Sequence, residues 1–293
     1  MTNEHRILSK KLPERDKSSN KGDFGRLTVI GGSSRYRGAM SLACESALRT
    51  GVGLVKLVST EKVVSAVSSR LLECTYLPIN ENSDGAMDSE DFISKQKELK
   101  SSSCVLVGCG MTNCKATEEI VSSVIYNMTC PLVIDADGLN VLRYFPERLS
   151  RTKRRPVITP HMGEMSRLTG IDIDKIKEER VKVALDFSVE HNCVTVLKDS
   201  VTTVVSPDGE VFINTVENSG LAKGGSGDVL AGIIASMLCQ GLSDYDAACC
   251  GVLLHSLSAE MTAEELGEEF MLPSDLICRL PKVMKMIRKE NEQ

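Results

Sequence analysis

The stretch Gly220-Leu221-Ala222-Lys223-Gly224-Gly225-Ser226-Gly227-Asp228, with the apolar run that begins at Val229, decides how this chain is read. Glycines let backbone N–H groups turn inward where a Cβ would clash. The helix predicted after them would open with unpaired amides and the positive end of its dipole. Together these features form a cradle for an anion. It is not a Walker-type phosphate loop, because no Gly-Lys-Ser/Thr follows. Asp228 falls in the first helical turn beside the cradle. There it could orient a hydroxyl and accept its proton while a phosphoryl group moves. A purely structural reading uses the same residues: Ser226 caps the helix and Asp228 complements the dipole.

Upstream of this stretch, short apolar runs alternate with helical patterns. Strands are expected at Leu27 to Ile30, Leu54 to Val58, Val105 to Val107, Leu132 to Ile134 and Val157-Ile158. Helices are expected at 38–50, 61–70, 89–99, 114–127 and 175–191. The β-then-α alternation predicts a mostly parallel sheet with helices on both faces. After residue 190 the pattern changes. Cys193 to Leu197, Thr202 to Val205 and Val211 to Ile213 follow closely, the last two separated by Pro207-Asp208-Gly209. This is a hairpin signal, so antiparallel strands should join the sheet in the C-terminal half. Helical segments are expected near 227–239, 244–265 and 274–289. The basic tail Lys282 to Lys289 reads as the positive end of a surface helix.

No composition break or repeat divides the 293 residues, so one domain over 1–293 is expected, with 1–20 as a helical or flexible arm. The formal net charge is -5 and no face is strongly basic, which argues against nucleic acid. No stretch approaches the roughly 20 apolar residues of a membrane span, and the polar N-terminus has no signal-like core. A cytoplasmic protein is expected. The eleven cysteines include no C-x-x-C pair, so they read as small buried apolar residues of a reducing compartment.

Four further segments could carry chemistry. Asp135-Ala136-Asp137-Gly138-Leu139-Asn140 follows a strand, where open α/β sheets bind ligands. Its acids could position a metal or substrate, or Asp137 could simply start a helix. His161 lies in a strand-end segment, Thr159 to Glu164, as a ligand contact or a structural hydrogen bonder. Lys198 ends a strand, within reach of a phosphate or merely solvated in a turn. Gly31-Gly32-Ser33-Ser34 lacks the G-x-G-x-x-G spacing of a Rossmann site.

The ordered set KGDFGRLTVIGGS (21–33), VGCGM (107–111), VIDADGLN (133–140), ITPHMGEMSRL (158–168), VLKDSVTTVVSPDGEVFIN (196–214) and ENSGLAKGGSGDVLAGIIASMLCQG (217–241) resembles the ADP/ATP-dependent NAD(P)H-hydrate dehydratase family, of ribokinase-like fold. The GGSGD segment alone indicates the ribokinase-like superfamily; the TPH-x-GE segment and the KGDFG opening narrow it. The resemblance implies a three-layer sandwich with a mostly parallel central sheet. It implies that the S epimers of NADH hydrate and NADPH hydrate are phosphorylated by ADP or ATP with Mg2+. Phosphate is then eliminated, releasing AMP or ADP; ADP is the donor favoured by analogy. Asp228 would be the catalytic residue that contacts the hydroxyl, as base or orienter. Gly224, Gly225 and Gly227 would stabilise the moving phosphoryl group. Lys198, Asp199, Ser200, Val201 and Thr202 match the nucleotide-binding segment, and Ala39, Gly110 and His161 match the hydrate pocket. A homo-oligomer and a separately encoded epimerase are also implied. The chain departs from the family at Cys109 and Thr112, where GPGLG is usual, at Met162 in place of Pro, and at Asp199, where Gly often stands. A small-molecule kinase acting on a vitamin-precursor alcohol would carry the same GGSGD segment.

Overall fold

The computed structural model describes residues 10–13 and 15–291, with side chains to Arg288. Each short apolar run of the N-terminal half is a strand of one sheet: β1 Arg26–Ile30, β2 Leu54–Thr60, β3 Cys74–Ile79, β4 Cys104–Val107, β5 Leu132–Ile134, β6 Val157–Ile158 and β7 Val194–Leu197. β8 Thr202–Val205 and β9 Val211–Asn214 complete it in the order β3-β2-β1-β4-β5-β6-β7-β8-β9. β1 to β7 run parallel, and β8 and β9 are antiparallel, as the hairpin signal predicted.

Strand residues point alternately to opposite faces, so a strand buried on both sides feeds two cores. Leu27, Val29, Cys104, Leu106, Val133, Val194 and Val196 enter one cluster, with the helices Arg37–Thr50, Ser226–Cys239, Asp244–Leu266 and Pro273–Asn291. Ile30, Val105, Val107, Leu132, Ile134 and Leu197 enter the other, with Lys115–Asn127, Met162–Thr169 and Arg180–His191. The result is the expected three-layer sandwich. Eight of the eleven cysteines are buried and all are free, as their apolar reading required. No helix among the described residues is long and apolar enough to cross a membrane.

The structure differs from the sequence expectations in several places. The expected helix at 175–191 is two helices, Ile173–Glu178 and Arg180–His191, broken at Glu179. The stretch 89–99 is an α-helix, Ser89–Lys95, followed by a 3-10 turn, Gln96–Leu99. β3 and Met162–Thr169 were not expected, and the alternative of a helix starting at Asp137 is found as Asp137–Leu142. β3 carries Pro78 and lies at the sheet edge, where a missing N–H costs no ladder bond. Of the expected N-terminal arm, residues 1–9 and 14 lie outside the described residues. Residues 10–13 and 15–20 carry turns and no helix.

Candidate active site

Parallel strands bring their carboxyl ends to one edge of the sheet. Cys109 lies just beyond β4, Asp135 follows β5, Thr159 follows β6 and Lys198 follows β7. The helix Ser226–Cys239 points its N-terminus at the same place. A cavity of about 930 Å³ opens there, walled by Asp135, His161, Glu164, Lys198, Gly227 and Asp228 among others. Gly225 is the residue before the helix and has φ +103°. The positive φ favours glycine, and a Cβ there would also stand 2.5 Å from Leu42 Cδ1, which would have to shift. At Gly227 a Cβ would lie 3.2 Å from Lys198 Nζ. The missing side chain therefore lets the lysine reach the cradle.

Lys198 is not a solvated turn residue. Its Nζ donates to Asp135 Oδ1 at 2.9 Å, and Thr159 Oγ1 donates to the same oxygen at 2.7 Å. Burial pushes Asp135 upward, but the Lys198 charge and these hydrogen bonds outweigh it and hold the carboxyl below its ordinary range. Burial alone would lower Lys198; facing Asp135 and Glu164, it is raised instead. This is a fixed ion pair at the mouth of the anion cradle.

Asp228 behaves in the opposite way. Burial, and then the nearby Asp135 charge, push its carboxyl up to about 6. The Cys109 thiol donates to Asp135 Oδ2 at 3.6 Å and lies close to Asp228 as well. One ligand atom from each of Cys109, Asp135 and Asp228 lies within 4.8 Å of the others. A carboxylate poised near neutral pH, beside an anion cradle, suits proton acceptance. As a cage for a hard cation the trio is poor. Mg2+ requires six oxygens, one of these carboxylates is tied to Lys198, and the third group is a soft thiol. Asp228 and Asp135 can offer single oxygens to a cation whose other ligands come from phosphates and water.

His161 is both structural and part of the cavity wall. It is the N-cap of Met162–Thr169, its Nδ1 accepting from the N–H groups of Gly163 at 3.0 Å and Glu164 at 3.3 Å. Glu164 Oε2 closes the capping box by accepting from the His161 N–H at 2.9 Å. With Nδ1 committed as acceptor, the neutral ring carries its proton on Nε2, 3.4 Å from Glu164 Oε1. Burial, then the charges of Lys198 and Arg167, hold His161 below its ordinary value. Burial raises Glu164 to about 7.

Of the residues singled out in the sequence, Asp228, His161, Lys198, Asp199, Ser200, Thr202, Gly225 and Gly227 share this cavity. Gly224 lies between the wall residues Lys223 and Gly225 and is itself exposed. Val201 contributes through its carbonyl, which accepts from Arg180 Nη1 at 2.7 Å. Ala39 and Gly110 do not wall the cavity. They meet each other and Tyr36, one residue along the chain from Cys109. The capping role expected of Ser226 is not found: Gly225 is the N-cap and the Ser226 hydroxyl makes no bond. Asp137 does not cap its helix either. Its Oδ2 accepts from the Thr112 N–H at 2.8 Å, and Ala136 is the N-cap.

The departures have physical accounts. Thr112 keeps φ +75°, a conformation costing a non-glycine residue about 1–2 kcal/mol. It is held there by its N–H on Asp137, by its hydroxyl on Ser33 Oγ at 3.1 Å and by the Thr117 hydroxyl on its carbonyl at 2.6 Å. Asp199 Oδ2 accepts from Arg180 Nη2 at 2.7 Å, so one arginine clamps both ends of the 199–201 turn. Thr159 and Glu164 lay in a quoted segment without a role. The Glu three residues after His161 was the legible sign of a capping box. His255 falls in GVLLHSLSAEMTAEELGE (251–268), a stretch that also matches the family, but it had no assigned role.

A ribokinase-like sandwich with a glycine-built anion cradle and a poised acid at its helix terminus defines a class of nucleotide-using α/β enzymes. Comparison with known proteins narrows this. The model of the NAD(P)H-hydrate dehydratase family matches residues 27–282. The ADP-dependent (S)-NAD(P)H-hydrate dehydratase of Bacillus subtilis is 33% identical over 94% of this chain and 94% of its own length. The chain spans about half the length of the bifunctional relatives it matches; the NAD(P)H-hydrate repair enzyme of Moorella thermoacetica is 35% identical over 96% of this chain and 53% of its own. A crystal structure of the Bacillus subtilis ADP/ATP-dependent enzyme, co-crystallized with ATP/Mg2+, superposes with a TM-score of 0.84 at 29% identity, covering 97% of each chain. The chain belongs to the NAD(P)H-hydrate dehydratase family.

Proposed function

We propose that this protein dehydrates the S epimers of NADH hydrate and NADPH hydrate, using ADP or ATP as phosphoryl donor, and so restores the intact cofactors. The observation that carries the reading is the Asp228 carboxyl, set at the helix terminus that forms the cradle and sharing one cavity with Lys198 and His161. Asp228 accepts the proton of the ring hydroxyl as its oxygen attacks the terminal phosphorus of the nucleotide. The bond from that phosphorus to the leaving AMP or ADP breaks. The amides at Gly225 and Gly227 and the helix dipole stabilise the charge on the transferring group. Lys198, steadied by Asp135, adds a fixed positive charge at the same point. Asp135 and Asp228 could each offer an oxygen to Mg2+ accompanying the nucleotide, which would supply positive charge against the phosphates. Phosphorylation turns a poor leaving group into a good one. The ring nitrogen then expels phosphate, a proton leaves the neighbouring carbon, and the double bond is restored.

The segment Lys198 to Thr202 receives the nucleotide and His161 the hydrate, with Ala39 and Gly110 proposed to border the hydrate outside the cavity wall, on the side of Cys109. A homo-oligomeric cytoplasmic enzyme, supplied with the S epimer by an epimerase, fits this chemistry. Incubation of the protein with (S)-NADPH hydrate, Mg2+ and either ADP or ATP tests the reading. Return of the near-ultraviolet absorbance of the reduced nicotinamide, with one phosphate released per ring restored, is expected. No recovery with either nucleotide refutes it, and a stable phosphorylated product would identify a kinase instead.

A further inference from the structure

His161 and Glu164 stand together in the cavity wall, and the chemistry proposed above uses only the first. Glu164 meets His161 at three places. Its backbone N–H donates to the ring Nδ1 at 3.3 Å, beside that of Gly163 at 3.0 Å. Its Oε2 accepts from the His161 backbone N–H at 2.9 Å. Its Oε1 lies 3.4 Å from the ring Nε2. A capping box needs the first two contacts only. The third is left over, and it falls on the ring nitrogen that the cap does not use.

Together the contacts fix where the ring proton sits. Burial, then the charges of Lys198 and Arg167, hold His161 below its ordinary value, so the ring is neutral and carries one N–H. Two backbone N–H groups point at Nδ1, which excludes a proton there. A carboxylate oxygen stands beside Nε2, which attracts one. Both ends of the ring select the same tautomer. Gly163 leaves room for it: a Cβ there would stand 3.0 Å from His161 Cε1 and 3.3 Å from Nδ1, crowding the ring above the first helical turn. The His161 side chain is 53% exposed and that of Glu164 is 5% exposed. The imidazole is therefore the part of the pair that a ligand can reach.

We propose that Glu164 is a positioning residue for the hydrate: it holds the His161 ring in its Nε2–H form, so that His161 meets the hydrate as a hydrogen-bond donor to one of its oxygens. At 3.4 Å the Nε2–H makes no full bond to Glu164 and has its proton to share. The hydrate offers carbonyl oxygens on its carboxamide and phosphate oxygens on its diphosphate bridge, all acceptors. A ring in the other tautomer would turn a lone pair toward them. Glu164 acts through His161 and not by touching the substrate. The inference rests on the hydrate-directed function proposed above.

A double-mutant cycle on the full chain tests it, at pH 8, where Glu164, raised to about 7, is largely ionised. Glu164→Gln keeps an oxygen for the His161 N–H, so the cap survives, but turns an amide toward Nε2. Its KM for (S)-NADPH hydrate should rise about 3–10-fold, the value of one hydrogen bond, with kcat and the KM for ADP within about 2-fold. His161→Asn keeps a good cap and loses the donor. Its KM should rise by a similar factor, and the double variant should rise no further. The hydrate of the reduced mononucleotide, which lacks the diphosphate bridge, tells the two oxygens apart: a penalty kept on it assigns the carboxamide, and one lost on it assigns the diphosphate. Ring-nitrogen NMR reads the tautomer directly. The chain has four histidines, and the His161 signals are those lost in His161→Asn. They should report Nε2–H in the wild type and a mixture of tautomers in Glu164→Gln. Should Glu164→Gln not fold, Glu164→Asp, with its carboxylate withdrawn from Nε2, takes its place in the cycle. The proposal is overturned if the wild-type ring carries its proton on Nδ1, or if the folded Glu164 variant keeps the wild-type KM for the hydrate. It is equally overturned if only kcat falls, if the KM for ADP rises as much, or if the two substitutions add. A wild type inactive on the hydrate removes the functional reading and this one together; an active wild type with any of those results removes this one alone.

Discussion

Replacing Asp228 with Asn should make the protein more stable and nearly inactive. The carboxyl is held at about 6 rather than 3.8, chiefly by burial. At about 1.4 kcal/mol per pH unit, the ionised side chain costs the folded state up to about 3 kcal/mol. Partial exposure of the site and the loss of an acceptor for the Cys109 thiol reduce this, so a gain of about 1–3 kcal/mol is expected at pH 7.5. The sign follows from linkage. A carboxyl raised on folding carries no penalty below the unfolded value of 3.8, and the penalty grows until pH passes about 6. The advantage of the variant should therefore shrink by about half at pH 5. Urea denaturation of both proteins at pH 7.5 and pH 5 measures it. Turnover should fall about 10²–10⁴-fold, and the kcat/KM of the wild type should decline as pH drops through about 6. A variant no more stable than the wild type at pH 7.5, or equally advantaged at both pH values, refutes the burial argument. Near-full turnover refutes the role of the base.

Lys198→Met removes the partner of a buried carboxylate and should cost about 3–5 kcal/mol. The loss should be smaller in acid, where the unpaired Asp135 protonates, and chemical denaturation across pH would show it. Gly227→Ala should leave stability within about 1 kcal/mol, since the position is helical, yet lower turnover at least about 10-fold by crowding Lys198 Nζ. Steady-state assays beside thermal melts separate the two effects. Arg180→Gln frees both Asp199 and the Val201 carbonyl. Affinity for ADP should drop about 3–10-fold, a loss of about 1 kcal/mol, measurable by calorimetry.

The strands were legible because buried parallel strands are continuous apolar runs, and Leu132 to Ile134 could hardly be anything else. β3 was not, because Thr75 and Pro78 interrupt its apolar run and suit an edge that only the assembled sheet reveals. Gly225, Gly227 and Asp228 could be read because a glycine run before an apolar helix has few other uses. The partnership of Asp135 with Lys198 could not, since 63 residues separate them. Only the parallel order of β5, β6 and β7 makes them neighbours. For the same reason the sequence could not show that Asp137, which does open a helix, uses its carboxylate to steady Thr112. The sequence at Ser226 suggested a cap, but the φ of Gly225 moved the helix start by one residue and left the hydroxyl without that role.

The thiol lodged between Asp135 and Asp228 gives the experimenter a sentinel. Burial and the two neighbouring acids keep Cys109 protonated, and the protonated form resists alkylation. Cys278 is exposed and Cys114 and Cys130 are half-buried, so a maleimide will settle first on these three, none of which walls the cavity. Capture of Cys109 by a second, slower reagent will then time the opening of the strand ends themselves.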